Sequence, residues 1–275
     1  MKNFKVFLFA LIAVFAVVGL NSCNKSDEVS DSGTMNTTIT DYANIVTAFV
    51  SDYDDELISG DESDLKSASL ARCFTVTVAK NADGAFYPRV WTVDYLDGTC
   101  TLFNGNTKKG KIHVSLSAFW KNEGSLKTVT FEDYFFNGNK MVGVKTILNT
   151  GLNEKGNLSF TKTIANASLT YPDGSSISWE CKKQSELIAG SSTFVFADDV
   201  WSVTGSGTGV NLDSKKYTLT ITSPLIYKNG CFYPVSGIVT IDTVGGDLQT
   251  IDYGSGECDN IARLTVGGVT TEIKL

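Results

Sequence analysis

From Cys73 onward the apolar residues recur at every second position, and no helical period interrupts them. Ile112, Val114, Leu116, Ala118 and Trp120 alternate with Lys111, His113, Ser115, Ser117 and Phe119. Tyr217, Leu219 and Ile221 alternate with threonines, and Val269, Thr271, Ile273 and Leu275 alternate with Thr270, Glu272 and Lys274. Successive strand side chains point to opposite faces, so the pattern predicts strands with one face on a core and the other in water. Asn137-Gly138, Asp173-Gly174 and Gly267-Gly268 supply the positive φ that tight β turns need. Parallel strands need long crossovers, usually helical, and none is visible, so the sheet is expected to be antiparallel. About a dozen strands suit a sandwich, an open curved sheet or a barrel equally.

One segment keeps another period. Ile39, Tyr42, Val46, Phe49, Val50, Tyr53 and Leu57 are spaced so that they share one side of a helix, which predicts a single N-terminal amphipathic helix. Thr38 followed by Asp41 is similar to a capping pair. With the polar, acidic stretch from Gly60 to Ser69, residues 37–72 are expected to form a helix and loop ahead of a β domain spanning 73–275.

That β domain contains an echo. Cys73-Phe74 leads to Thr92-Val93-Asp94-Tyr95, Gly98 and Cys100, and Cys231-Phe232 leads to Thr250-Ile251-Asp252-Tyr253, Gly256 and Cys258. Spacing and motif recur together, so 73–100 and 231–258 read as two copies of one hairpin-like unit. The repeat suggests disulfides Cys73–Cys100 and Cys231–Cys258, although four cysteines allow three connectivities. Cys181 shares parity with Ile177 and Trp179 and is expected to be an unpaired core thiol.

The N-terminal residues point to a compartment. Lys2 and Lys5 precede an apolar run that ends at Leu20-Asn21-Ser22-Cys23, a charged start and apolar stretch that read as an export signal over residues 1–22. Leu20, Ser22 and Cys23 resemble the cleavage motif of bacterial lipoproteins. The resemblance implies cutting before Cys23, lipid (palmitate among its acyl chains) on that cysteine, and a membrane anchor. Residues 23–36 are small and polar, a composition that reads as a flexible tether. Lys25, Asp27 and Glu28 resemble the acidic signal of Bacteroidetes surface lipoproteins, and the echo behind this leader resembles their β-rich outer-membrane members. Outer-membrane attachment facing the cell surface is therefore expected, with a periplasm-facing protein as the alternative. Export places the cysteines where disulfides persist.

Charge narrows the partners. The chain carries a formal charge of −7, and losing Lys2 and Lys5 with the leader makes it more acidic still. Nucleic acid is disfavoured, because its binding depends on clustered Lys and Arg. No cysteine spacing suits zinc, and one histidine does not complete such a site. His113 falls on the polar face of its strand, which predicts an exposed, idle imidazole. Gly205 to Gly209 lacks the lysine of a phosphate loop and reads as a bulged strand or loop. Asp52, Asp54 and Glu56 lack the glycine a calcium loop requires at its sixth position. Asp94 and Asp252 are the one carboxylate pair that the repeat singles out, and each is expected to bond within its own turn. Parity assigns Trp91, Trp120, Trp179 and Trp201 to the core, leaving Phe119, Tyr134 and Phe136 as the candidates for exposed aromatics.

These features lead to an expected lipid-anchored, mainly β protein acting as a non-catalytic binding module for a glycan or protein. It has no catalytic, metal or cofactor residues to nominate. The alternatives are a structural or assembly lipoprotein of the outer membrane and a hydrolase built on a carboxylate pair.

Overall fold

The computed structural model describes residues 37–50, 73–96, 100–101, 105–192 and 198–275, all within the compact unit Met35–Leu275. Among the described residues one helix, α1 (Thr37–Val50), precedes β1 (Thr75–Ala79), β2 (Arg89–Asp94), β3 (Cys100–Thr101), β4 (Thr107–Leu116) and β5 (Leu126–Phe136). There follow β6 (Asn139–Leu152), β7 (Leu158–Thr170), β8 (Ser176–Ala189), β9 (Val200–Val210) and β10 (Lys216–Lys228). The chain ends with β11 (Ser236–Thr243), β12 (Gln249–Ser255), β13 (Ile261–Val266) and β14 (Val269–Lys274).

Every pairing is antiparallel, and the strands form one 14-stranded sheet in chain order, with the short β3 set beside β4 off the main path. Such a meander needs only hairpin connections, which the Asn-Gly, Asp-Gly and Gly-Gly turns supply at residues 137–138, 173–174 and 267–268. β1 and β14 end the path without pairing to each other. Of the three closures open to the sequence, the sheet is therefore open.

Sheets of more than about ten strands must curl or split. Here bulges interrupt the register between neighbours from β4 through β12. Each bends its strand and increases its twist, so the sheet curves toward its apolar side. Gly110 (φ +92) and Gly237 (φ +115) show why glycine is needed. A Cβ at Gly110 would overlap the backbone of Asp133, and one at Gly237 the carbonyl of Pro224.

The core lies on that side. Trp91, Ile112, Val114, Trp179 and Leu219 are buried with the parity expected, and Val93, Val129 and Ile241 are buried with them. Helix α1 packs there too, burying Ile39, Tyr42 and Ile45, with the Tyr42 ring edge-on to Trp179 at 5.4 Å. Thr38 lies inside the helix rather than capping it. The Thr38 hydroxyl accepts from Asn211 Nδ2 at 2.8 Å, and Asp41 Oδ2 accepts from the Leu212 amide at 2.7 Å, which fastens α1 to the β9–β10 turn. Of the expected helical face, Tyr53 and Leu57 lie outside the described residues.

The echo corresponds to two similar hairpins. Cys73–Cys100 straddles β1–β2 and Cys231–Cys258 straddles β11–β12, with Cα atoms 5.3 and 5.5 Å apart; Cys181 is a free, buried thiol. Asp94 Oδ1 accepts from the Leu96 amide and Asp252 Oδ1 from the Gly254 amide, each at 2.9 Å. Both aspartates thus bond within their own turns, as expected.

Several sequence expectations need correction. Strand β4 stops at Leu116, so Trp120 sits in the following turn and is only half-buried; Trp201 is half-buried as well. Tyr134 and Phe136, expected to be exposed, are buried, because the bulge at Asp133 (φ 43) resets the side-chain parity of β5. In β14 the alternation marks the core only toward the C-terminal end: Ile273 and Leu275 are half-buried and pack against it, whereas Val269 is 68 % exposed at the turn of this edge strand.

Candidate functional site: an aromatic and lysine-rich face

Pairing registers place three rows of side chains on the core side of β5 to β9. Asn149, Phe160, Ser185 and Val203 form the first, and Lys127, Ile147, Lys162 and Lys183 the second. Val129, Lys145, Ile164 and Cys181 form the third. The third row joins the apolar core through Val129 and Cys181. Together the three rows place four lysines from four adjacent strands, Lys127, Lys145, Lys162 and Lys183, on one face with hydroxyl, amide and aromatic groups.

Aromatic rings border the lysines. Trp201 pairs across the strands with Leu187 and Tyr227. The Phe160 ring lies 5.8 Å from Trp201 and stacks at 6.2 Å on Trp120; Phe119, 45 % exposed, continues the row at 6.2 Å from Trp120. The turn carrying Phe119 and Trp120 is braced. Asn149 Nδ2 donates to the Trp120 carbonyl at 2.9 Å, and the Ser125 hydroxyl donates to the Ala118 carbonyl at 2.8 Å. A row of rings in a fixed turn loses little conformational freedom on binding, which favours affinity.

The electrostatics of the face follow from its residues. Lys121 Nζ lies 5.1 Å over the Trp120 ring, a cation–π contact. Burial raises the Asp199 carboxyl above its ordinary value, the Asp198 charge adds to this, and Lys121 opposes it. Burial likewise pushes the Tyr227 phenol up to about 12 against the opposing charge of Lys183. The Cys181 thiol is raised by burial while Lys183 and Lys145 pull it down. The Ser185 hydroxyl, between Phe160 and Lys183, is buried without a hydrogen-bond partner.

The lysine face was legible in principle but missed. Lys127 shares parity with Val129, Lys162 with Phe160 and Ile164, and Lys183 with Cys181. A lysine at a core-parity position is a signal in its own right, because lysine is seldom placed inside unless something meets its charge.

His113 lies on the opposite face and is not idle. Its Nδ1 is 3.0 Å from the Thr92 hydroxyl and its Nε2 is 2.8 Å from Glu132 Oε2, while Lys111 reaches Asp94 at 3.6 Å and Glu132 at 3.9 Å. Register explains this, since Thr92, His113 and Thr130 are directly opposite on adjacent strands. The cluster lies on a solvent-facing sheet surface and ties β2, β4 and β5 together. A recess of about 370 Å³ opens near the β5–β6 turn, lined by Lys108, Lys109, Phe135 and Asn137 among others. Among the described residues no three His, Cys, Asp or Glu side chains gather as a metal site would require, and no helix is long and apolar enough to cross a membrane.

No family model, curated protein or solved structure matches the chain.

Proposed function

We propose that this chain is a lipid-anchored outer-membrane protein, facing the cell surface, that acts as a non-catalytic binding module for glycans. The observation that carries the ligand class is the braced aromatic row of Phe119, Trp120 and Trp201, the two tryptophans bridged by the buried Phe160. Sugar rings have apolar C–H faces that pack on aromatic rings, and their hydroxyls suit the polar groups beside them. The anchor rests on Leu20 to Cys23, and surface display on Lys25, Asp27 and Glu28 behind it. The two aspartates that a carboxylate hydrolase would most readily use are engaged in separate turns, which supports binding over catalysis.

Two experiments test the reading. A palmitate analogue fed to cells is expected to label the wild type and not Cys23→Ser; equal labelling sinks the anchor. On a glycan array, Trp120→Ala with Trp201→Ala is expected to abolish signals that the wild type gives. Retention of every signal refutes the aromatic site.

One observation favours the assembly reading. Edge strand β1, Thr75-Val76-Thr77-Val78-Ala79, has none of the charges or prolines that guard natural edges, whereas β14 carries Glu272 and Lys274. Co-purification of an envelope protein that Val78→Lys prevents would favour that role.

A further inference from the structure

In an antiparallel meander successive turns alternate between the two ends of the sheet. Three neighbouring turns share one end: residues 211–215 between β9 and β10, 244–248 between β11 and β12, and 267–268 between β13 and β14. They adjoin one another. The Val244 amide donates to the Lys216 carbonyl at 2.9 Å, and a Cβ at Gly267 would meet the Asp247 carboxylate at 3.4 Å. Four aliphatic side chains stand on this end, Leu212, Val244, Leu248 and Val269, each at least 40 % exposed. Single apolar residues in water are ordinary, but four on adjoining turns form a patch of the kind that meets a protein or a membrane.

The path of the chain favours the membrane. Helix α1 is fastened at this same end: the Thr38 hydroxyl accepts from Asn211 Nδ2 and from the Thr243 hydroxyl, and Asp41 accepts from the Leu212 amide. The polypeptide therefore enters the β domain beside the four aliphatic side chains. Residues 24–36 separate Cys23 from α1. At about 3.5 Å per residue they reach about 45 Å at most, and about 20 Å as a coil. An acylated Cys23 thus keeps this end close to the bilayer. Residues 211–216, 244–248 and 266–269 set Asp213 and Asp247 against Lys215 and Lys216, so the patch carries no excess charge to attract or repel headgroups. Its contact with lipid is apolar. A bilayer takes up side chains from separate turns without a matching shape, whereas a protein partner needs a complementary surface.

Resting on the lipid-anchor reading, we propose that these three turns seat on the membrane that holds Cys23, with Leu212, Val244, Leu248 and Val269 inserted at the boundary of headgroups and acyl chains. Strand β9, from Val200 to Val210, extends about 35 Å along its length. Trp201 and the turn carrying Phe119 and Trp120 lie at the other end of the sheet. Seating therefore turns the aromatic row away from the bilayer, toward ligands in solution.

The test reconstitutes the full lipidated chain in phosphatidylcholine vesicles with or without bromine on the acyl chains, which quenches nearby tryptophan. Leu248→Trp and Val269→Trp put reporters on the patch, and Phe232→Trp puts one on the β10–β11 turn at the opposite end. After subtraction of the wild-type emission, bromine is expected to reduce the signal of the first two at least twofold and to leave the third unchanged, in low and raised salt alike. Equal quenching of all three, quenching of none, or loss of the patch effect at raised salt overturns the proposal; with Cys23 acylated by mass spectrometry, the anchor reading stands. An unacylated Cys23 overturns both. Should the reporter variants not fold, crosslinking of the wild type decides. A phosphatidylcholine with a photoreactive acyl chain is expected to label residues 244–248 and 267–269, and absence of label there overturns the proposal.

Discussion

The two disulfides close loops of equal length, yet their removal should not cost the same. Each joins cysteines 27 residues apart, and the chain-entropy relation assigns each closure about 3.5 kcal/mol. What differs is the structure each bond secures. Cys100 is 1 % exposed, and Phe74, next to Cys73, is 2 % exposed, with its ring 5.6 Å from Tyr95. Freeing Cys73 lets the start of edge strand β1 fray and exposes that ring, adding about 2 kcal/mol. The equivalent Phe232 beside Cys231 is already 97 % exposed, so its hairpin has no comparable burial to lose. Differential scanning calorimetry should show Tm falling by about 7–14 °C for Cys231→Ala with Cys258→Ala, at about 2–4 °C per kcal/mol. Cys73→Ala with Cys100→Ala should fall further, by about 11–22 °C on the same scale. Equal shifts in the two variants, or a larger shift in the second, would refute the assignment of the difference to Phe74.

Other perturbations test other parts of the structure. Asp252→Ala removes the bond from the Gly254 amide and is expected to cost about 1 kcal/mol in urea melts, whereas Asp252→Asn keeps an acceptor and should cost less; equal losses would show that charge rather than the turn bond matters. Gly207→Ala places a Cβ against the Trp179 ring and is expected to cost about 1–3 kcal/mol through overpacking, so an unchanged melting curve would mean that β9 yields there. Burial raises the Asp41 carboxyl above its ordinary value, opposed by the Leu212 amide and aided by Asp213. Its contribution is therefore greatest below the unfolded pKa of about 3.9 and is lost as pH rises through the higher folded value. Asp41→Asn should flatten that decline, and melts from pH 3 to 7 with the wild-type slope would refute it.

Local chemistry carried most of the secondary structure and part of the topology. Alternation in β4, β8 and β10 identifies strands because side chains there point to opposite faces, and the turn dipeptides mark three hairpins through a backbone requirement of their own. The disulfide spacing and the paired Asp-Tyr motifs mark two similar hairpins because both act within some thirty residues of chain. Bulges are less legible. One extra residue at Asp133 (φ 43) moves Tyr134 and Phe136 into the core, and nothing in that stretch announces that β4 will oppose it with Gly110. Sheet closure also escapes the sequence, since the curvature of an open 14-stranded sheet accumulates from bulges spread over many strand pairs.

The candidate site divides in the same way. Each lysine's core parity is a local property and can be read from its own strand. That Lys162 directly faces Lys183, and that Phe160 bridges Trp120 to Trp201, are decided by register between segments far apart in sequence. Register is chosen by the burial of the whole apolar face, so only the assembled sheet determines which charges and rings meet.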